Sequence, residues 1–141
     1  MASKQTKLEH LAAVPLFDGV SKKELEKIAK AGDEIHMAAG TVIVDQGQTG
    51  REAFVVLEGS VSIKRNNRKV ATLGPGDIVG ELSLLDHGPR TATAICETEC
   101  ELLVLDQRHF RGVLEQVPTL ASKLLASLAG RIRELDRQYY G

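Results

Sequence analysis

The chain has 141 residues, 43% of them hydrophobic, and a formal net charge of −1 at pH 7. This length predicts a single domain with its own core, and the charge balance argues against a nucleic-acid-binding protein, which is usually strongly basic. No window approaches the roughly 18 apolar residues of a membrane span, and the first ten residues lack the apolar region of a signal peptide, so we expect a cytoplasmic protein.

Residues 7–32 have a helical pattern. In SKKELEKIAKAG, Ser21 is followed three residues later by Glu24, which is the spacing of a capping box. Gly32 is expected to end this helix. The apolar stripe at helical spacing consists of Leu25, Ile28 and Ala29.

Residues 34–106 change to a period of two, with glycines between short β-rich runs. Seven runs stand out: TVIVDQG, AFVVLEG, SVSIKR, KVATLG, DIVG, TATAICE and ELLVLD. Asn66 and Asn67 fit the two-residue turn of a hairpin, because asparagine tolerates the positive φ of a type I′ turn. We predict an α+β, mainly β fold, a jelly-roll-like antiparallel barrel of about eight strands with N-terminal helices and a long C-terminal helix.

Residues 107–140 return to a helical pattern. RHFRGVLEQVP predicts a short helix that stops at Pro118, a residue suited to begin the next helix. The long helix that follows carries a heptad seam of Ala121, Leu125, Leu128, Ile132, Leu135 and Tyr139. Leu120 and Leu124 form a second apolar edge. We expect that edge to pack on the barrel and the seam to pair with a second copy, giving a homodimer.

Cys96 and Cys100 are the only cysteines, and the four histidines are scattered along the sequence. Two cysteines without two further ligands do not make a zinc site, so we expect no metal. Two buried, reduced thiols are the expected state, and a disulfide between neighbouring strands is the alternative.

The stretch GELSLLDHGPRTATA, residues 80–94, combines an acid, a short helical turn and an arginine. The first amides of such a turn, those of Leu82 and Ser83, lack helical partners and favour an anion. Arg90 carries a planar fork suited to phosphate, whereas the Glu81 carboxylate repels phosphate and accepts from a hydroxyl. Together these groups suit a ribose phosphate.

This stretch resembles the phosphate-binding cassette of cyclic nucleotide-binding domains, and the glycine-marked strands GTVIVDQGQTGREAFVVLEGSV are similar to those of the same family. The resemblance covers nearly the whole chain, as one domain over 1–141 with its cassette at 80–92. This family includes the ligand-binding domains of catabolite activator proteins and kinase regulatory subunits. It implies cAMP or cGMP as the ligand and no cofactor, and the family analogy favours cAMP slightly.

The resemblance also implies residue roles. Glu81 accepts from the ribose 2′-hydroxyl, and Arg90 pairs with the exocyclic phosphate oxygens. Thr91 places its hydroxyl at the phosphate or at the edge of a syn guanine. The remaining cassette positions are Gly80, Leu82 and Ser83, which offer backbone groups, together with Pro89 and Ala92. The candidates to cap the base from the last helix are Arg131 and Leu135, and Tyr139 and Tyr140 are candidates to stack on it.

We therefore expect a regulatory module that binds a cyclic nucleotide and moves its C-terminal helix. Enzymatic activity is not expected, because no His/Asp cluster offers metal ligands or a positioned base. We expect no DNA binding by this chain alone, since a helix-turn-helix has no room before Gly141. Two alternatives stay open: the ligand-binding half of a transcription regulator or channel whose effector is absent, and a family member that has lost nucleotide binding.

Overall fold

The computed structural model describes residues 3–140, with side chains through residue 139. Helix α1 spans Lys4–Ala13, a 3-10 turn spans Pro15–Phe17, and α2 spans Lys22–Lys30. The strands are β1 Asp33–Met37, β2 Val42–Val44, β3 Glu52–Glu58, β4 Val61–Arg65, β5 Arg68–Leu73, β6 Ile78–Val79, β7 Thr93–Cys96 and β8 Cys100–Asp106. A second 3-10 turn, Glu81–Leu84, follows β6, and the chain continues with α3 Gln107–Gln116 and α4 Pro118–Tyr140.

The eight strands form two antiparallel four-stranded sheets, ordered β1-β8-β3-β6 and β2-β7-β4-β5. This confirms the predicted fold class, although the barrel is not strictly closed, since the strands pair within each sheet. The hairpin between β4 and β5 turns through Asn66 and Asn67, whose φ angles are +53° and +65°, as predicted. Strand β1 lies outside the seven predicted runs, and it forms by pairing along its whole length with β8.

The β1-β8-β3-β6 sheet is covered on both faces, which explains the continuous apolar run in β3. Along β3, Ala53, Val55 and Leu57 pack against the helices, and Phe54 and Val56 face the other sheet. The core is therefore divided into a helical layer and an inter-sheet layer, with this sheet between them.

Cys96 and Cys100 are both free and both buried in the inter-sheet layer, as expected. Burial is the main cause that raises the pKa of the Cys96 thiol, to about 11. Within residues 3–140, no three His, Cys, Asp or Glu side chains are arranged to hold a metal ion. No helix in that range is long and apolar enough to cross a membrane.

Helix α4 has a packed edge and an exposed edge. Leu120 and Leu124 are buried in the helical layer, as predicted. Most of the seam is exposed, at 68% for Leu125, 60% for Ile132, 54% for Leu135 and 80% for Tyr139. Leu128 differs from the prediction, because it packs partly against the helical layer. The orientation of α4 places Leu128 on the side that faces the core, so fewer seam residues are exposed than the heptad pattern indicates.

The buried carboxylate of Glu24 joins α2 to α4. The predicted capping box is confirmed, with Ser21 N–H donating to Glu24 Oε1 at 2.9 Å. Lys123 Nζ and Thr119 Oγ1 of α4 donate to the same carboxylate. These donors, Lys123 first, lower the pKa of Glu24 from 4.5 to about 2. The start of α4 is therefore bonded to the start of α2.

We predict that Glu24→Gln lowers the free energy of unfolding at pH 7 by about 2 kcal/mol, because charged hydrogen bonds in a buried position are lost. The folded pKa lies below the unfolded one, so this stabilisation is complete above the unfolded value near 4.5 and is lost as the pH falls towards 2. Urea unfolding of both proteins from pH 7 to pH 2.5 measures it.

Glu26→Gln on the same helix is the control, since Glu26 lies 3.9 Å from an exposed lysine amine and exposed pairs contribute little. A difference between wild type and Glu24→Gln that stays constant across this pH range would contradict the assignment.

Candidate functional site

The predicted cassette begins where β6 ends. Gly80 adopts a left-handed conformation, with φ of +75°, and turns the chain into the 3-10 turn. That turn starts with a hydrogen bond of 3.0 Å from the Ser83 amide to the Gly80 carbonyl. In this conformation the Ser83 amide is therefore used within the turn, and the Ser83 hydroxyl is the group that faces the site.

The second half of the cassette is a loop tied to the segment that precedes β3. Gly47 N–H donates to the Arg90 carbonyl, and Arg90 N–H donates to the Gln48 carbonyl, both at 2.8 Å. Inside the loop, the Asp86 carboxylate accepts from Gly88 N–H at 3.1 Å. These bonds hold the backbone of Arg90 and thereby direct its side chain.

The Arg90 guanidinium lies wedged between two glycines. A Cβ on Gly50 would lie 2.0 Å from Arg90 Nε, and a Cβ on Gly80 would lie 2.2 Å from Nη1. Nη1 donates to the Glu52 carbonyl at 2.8 Å and to the Ser83 hydroxyl at 3.0 Å. Burial lowers the pKa of Arg90, so the cation is held in place at a desolvation cost.

Within residues 3–139, every side-chain hydrogen bond of Arg90 is made by one nitrogen, Nη1. Both protons of Nη1 are used, and a guanidinium has three further N–H donors, on Nε and Nη2. Neutral oxygens, not a carboxylate, accept from it. An anion that reaches the remaining donors would gain charge-assisted hydrogen bonds.

A cavity of about 420 Å³ opens in front of Arg90. Its walls are the cassette residues Gly80, Glu81, Leu82, Ser83, Pro89, Arg90 and Thr91, together with Ile78, Asp86 and Gly88. The structure therefore brings seven of the eight predicted cassette residues around one space.

Glu81 lies in this cavity wall with its side chain 16% exposed. Its Oε1 pairs with Arg131 Nη2 of α4 at 2.5 Å. Its Oε2 is buried and accepts no hydrogen bond from residues 3–139. A buried carboxylate oxygen without a donor is costly, so this atom is ready to accept from a ligand hydroxyl.

A second, smaller cavity of about 190 Å³ adjoins the first and shares Gly80, Arg90 and Thr91 with it. Ala92, the eighth cassette residue, lines this cavity. Its other walls are mainly aliphatic, formed by Val44, Ile63, Leu73, Ile78, Val79 and Ala94, with Arg65 at the edge. Together the two cavities offer a charged end and an apolar end.

Volume alone does not select this site. A larger cleft, of about 810 Å³, lies at the start of α3. Its arginines and histidines alternate with the carboxylates of Glu52, Asp106 and Glu115, and Asp106 is bonded to His109. Within residues 3–139, every buried side-chain nitrogen or oxygen of the residues that line this cleft has a hydrogen-bond partner. The cassette cavity differs, because Glu81 in its wall has a buried oxygen without one.

The two predicted capping residues differ in position. Arg131 reaches the cassette through Glu81. Leu135, one turn further along α4, is exposed on the seam and lines neither cavity. The side chain of Tyr140 lies outside the described residues, so the stacking expected of it stays a prediction.

Several contributors to the site were not predicted from the sequence. Besides the aliphatic walls of the smaller cavity, they include Gly50, the carbonyl of Glu52, and Arg65. Gly50 and Glu52 act on Arg90 through a missing side chain and a backbone oxygen, which leave no chemical signal in a sequence. The sequence does carry a signal for Arg65. It follows Val61 and Ile63 at alternate positions of β4, and side chains at alternate positions of a strand lie on the same face of the sheet.

Comparisons with known proteins agree with this geometry. The family model for the cyclic nucleotide-binding domain matches residues 34–117. The cyclic AMP receptor protein of Thermus thermophilus is 35% identical over 127 residues, which are 86% of this chain and 59% of that protein. A CRP-like cAMP-activated global transcriptional regulator of Mycobacterium tuberculosis is 29% identical over 133 residues, again 59% of its length.

Among solved structures, the N-terminal domain of a transcriptional regulator from Streptomyces coelicolor superimposes with a TM-score of 0.85 at 32% identity, covering 91% of this chain and 95% of that one. The chain therefore spans a whole domain of that size but less than two thirds of the two curated relatives. Since the family model matches more than half of its residues, the chain belongs to the cyclic nucleotide-binding domain family.

Proposed function

We propose that this chain binds a cyclic purine nucleotide, cAMP or cGMP, reversibly and transmits the binding to α4. The observation that supports the proposal is that one cavity contains both hydrogen-bond donors and a hydrogen-bond acceptor without partners among the described residues. Among the described side chains, the donors on Nε and Nη2 of Arg90 have no partner at one end, and the acceptor Glu81 Oε2 has none in the same wall.

The proposed ligand position follows from these groups. The exocyclic phosphate oxygens accept from Arg90 Nε and Nη2, and the ribose 2′-hydroxyl donates to Glu81 Oε2. The backbone of Gly80 and Leu82, at the start of the 3-10 turn, borders the phosphate. The purine then extends into the apolar cavity beside Ile63 and Leu73, where its ring faces lose contact with water.

We favour cAMP as the working ligand, because the names of the Thermus and Mycobacterium relatives state cAMP. Thr91 is exposed at the cavity, so its hydroxyl is available to a phosphate or to the 2-amino group of a syn guanine. The nucleotide acts as a signal and not as a cofactor, and the domain regulates without catalysis. Loss of nucleotide binding is the less favoured alternative, because within residues 3–139 the side chains of Arg90 and Glu81 keep hydrogen-bonding groups that a ribose phosphate would satisfy.

Glu81 supplies the proposed link to α4. The carboxylate that receives the ribose is already paired with Arg131, so a ligand at Glu81 changes the charge balance of an ion pair that spans the site and the helix. Residues 131–139 are all exposed, whereas the first half of α4 has one edge packed in the helical layer. The ligand shifts the position of this exposed half by its difference in affinity between the two positions, and Leu135 is a candidate to reach the base after that shift.

A second copy of this chain is the proposed partner for the exposed seam, since Leu125, Ile132 and Leu135 are aligned on one exposed helix edge and lose contact with water when two such edges pair. The net charge of −1 supports a domain that senses the ligand and leaves DNA contacts to other parts of a longer regulator. A cytoplasmic location is part of the same proposal.

Titration calorimetry with cAMP and cGMP tests the site. We predict micromolar or tighter binding of one or both, weakened about tenfold or more by Arg90→Ala, because a charge-assisted contact in a partly buried site is lost. Gly50→Ala should have a similar effect with Arg90 still present, since the added methyl occupies the space of the guanidinium.

Gly74→Ala is the matched control, because a Cβ there meets nothing within 4 Å. Its affinity should equal that of the wild type. The proposed function would be refuted if neither nucleotide gave binding heat in calorimetry or changed the chemical shifts of the protein in NMR spectra.

Cutting the chain after Gly130 tests the link to α4. This cut removes Arg131 and the exposed half of the helix but no buried side chain of the described range. We predict a folded protein that binds nucleotide several-fold more weakly, because Glu81 loses the partner that neutralises it. An unchanged dissociation constant would show that the part of α4 beyond Gly130 does not act on the site.

Leu125→Glu tests the seam. We predict that this change converts a dimer into a monomer in analytical ultracentrifugation, because it places a charge on the apolar edge at its most exposed leucine. Ala126→Glu is the control, since Ala126 is also exposed and lies about 100° around the helix. Equal association states for both variants and the wild type would exclude the seam as a dimer contact.

A further inference from the structure

The side chain of Gln107 is a buried polar group outside the ligand site. Gln107 is the first residue of α3 and is only 5% exposed, although it lines the cleft at the start of that helix. An apolar side chain of similar length would fill this space without the cost of removing an amide from water. The hydrogen bonds of Gln107 therefore explain its presence better than its packing does.

Two hydrogen bonds of Gln107 reach two different parts of the Arg90 site. Its backbone N–H, which has no partner inside the helix, donates to the Arg51 carbonyl at 2.8 Å. Arg51 belongs to the segment leading into β3, which contacts Arg90. The side-chain Nε2 of Gln107 donates to the Asp86 carbonyl in the cassette loop at 2.9 Å. One residue therefore bonds the cassette loop to the segment that confines the guanidinium.

Asp86 lies where the turn and the loop of the cassette meet. Its N–H donates to the Leu82 carbonyl at 3.0 Å, and its carboxylate accepts from Gly88 N–H at 3.1 Å. Its carbonyl accepts from Gln107. For residues 85–88, this last bond is the one hydrogen bond to another element within residues 3–139. The amide of Gln107 is therefore the group that hydrogen-bonds this part of the loop to the rest of the domain.

We propose that Gln107 is a positioning residue of the ligand site, whose side-chain amide holds the cassette loop so that Arg90 faces the cavity before a nucleotide arrives. The inference rests on the proposed function and adds a residue that lines neither ligand cavity. Arg90 follows Asp86 by four residues. Without the bond, the Asp86 carbonyl loses its donor and the loop gains freedom that ligand binding then has to remove.

Nucleotide binding by two variants, Gln107→Met and Gln107→Glu, tests this role. Methionine is similar in length but has no N–H, and an ionised glutamate keeps the shape of glutamine but has no proton to donate. We expect both variants to bind cAMP and cGMP about fivefold more weakly than the wild type, because the loop is no longer held. Gln116→Met makes the same exchange at an exposed position of the same helix and should leave both affinities unchanged.

A double-mutant cycle separates positioning from general stabilisation of the fold. If Gln107 acts through Arg90, Gln107→Met should change the affinity by less than about twofold in an Arg90→Ala background and by its full factor in a Glu81→Ala background. A residue that only stabilises the fold would lower the free energy of unfolding and leave the dissociation constants of the folded variants unchanged.

The wild-type protein offers a measurement that needs no substitution. In NMR spectra of the nucleotide-free protein, the side-chain amide protons of Gln107 should exchange with solvent more slowly than those of Gln116, because Gln107 is buried and hydrogen-bonded and Gln116 is exposed.

Unchanged dissociation constants in the folded Gln107 variants would overturn the inference. Equal losses with and without Arg90 would overturn it as well, and so would amide protons of Gln107 that exchange as fast as those of Gln116. These results leave the proposed function intact, whereas a wild-type chain that binds neither nucleotide refutes the proposed function and the inference together.

Discussion

The confinement of one guanidinium is the constraint on which the site depends. Arg90 fits only because two residues from separate parts of the chain, Gly50 and Gly80, have no side chain. The Glu52 carbonyl and the Ser83 hydroxyl then fix Nη1. A cation held in this way by neutral oxygens has paid its desolvation cost before a ligand arrives, and an anion at its remaining donors recovers part of that cost.

The same confinement joins three elements that are otherwise independent. The cassette loop, the segment leading into β3 and the turn after β6 all contact Arg90. Since β3 is buried on both faces and paired with β8 and β6 on its two edges, the site is built against a strand that is packed on every side. Preorganised donors of this kind lose little conformational entropy when a ligand binds.

Helix α4 contrasts with this rigid base. Its first half is tied to α2 through the carboxylate of Glu24 and is packed in the helical layer. Its second half is exposed and meets the cassette through Arg131 and Glu81. A helix that is fixed at one end and paired further along with a carboxylate of the cavity wall is suited to convert a local charge change into a change of helix position.

The sequence by itself determined the features that depend on neighbouring residues. These are the capping box of Ser21 and Glu24, the Asn66-Asn67 turn, and a cassette whose chemical groups are contiguous and therefore recognisable. Only the tertiary structure decided that Gly50 makes room for Arg90, that Leu128 turns towards the core, that β1 pairs with β8, and that Arg65 reaches the apolar cavity. The physical reason is that these contacts join residues distant in the chain, so they depend on strand register, helix rotation and the space left between side chains, which periodicity and composition do not encode.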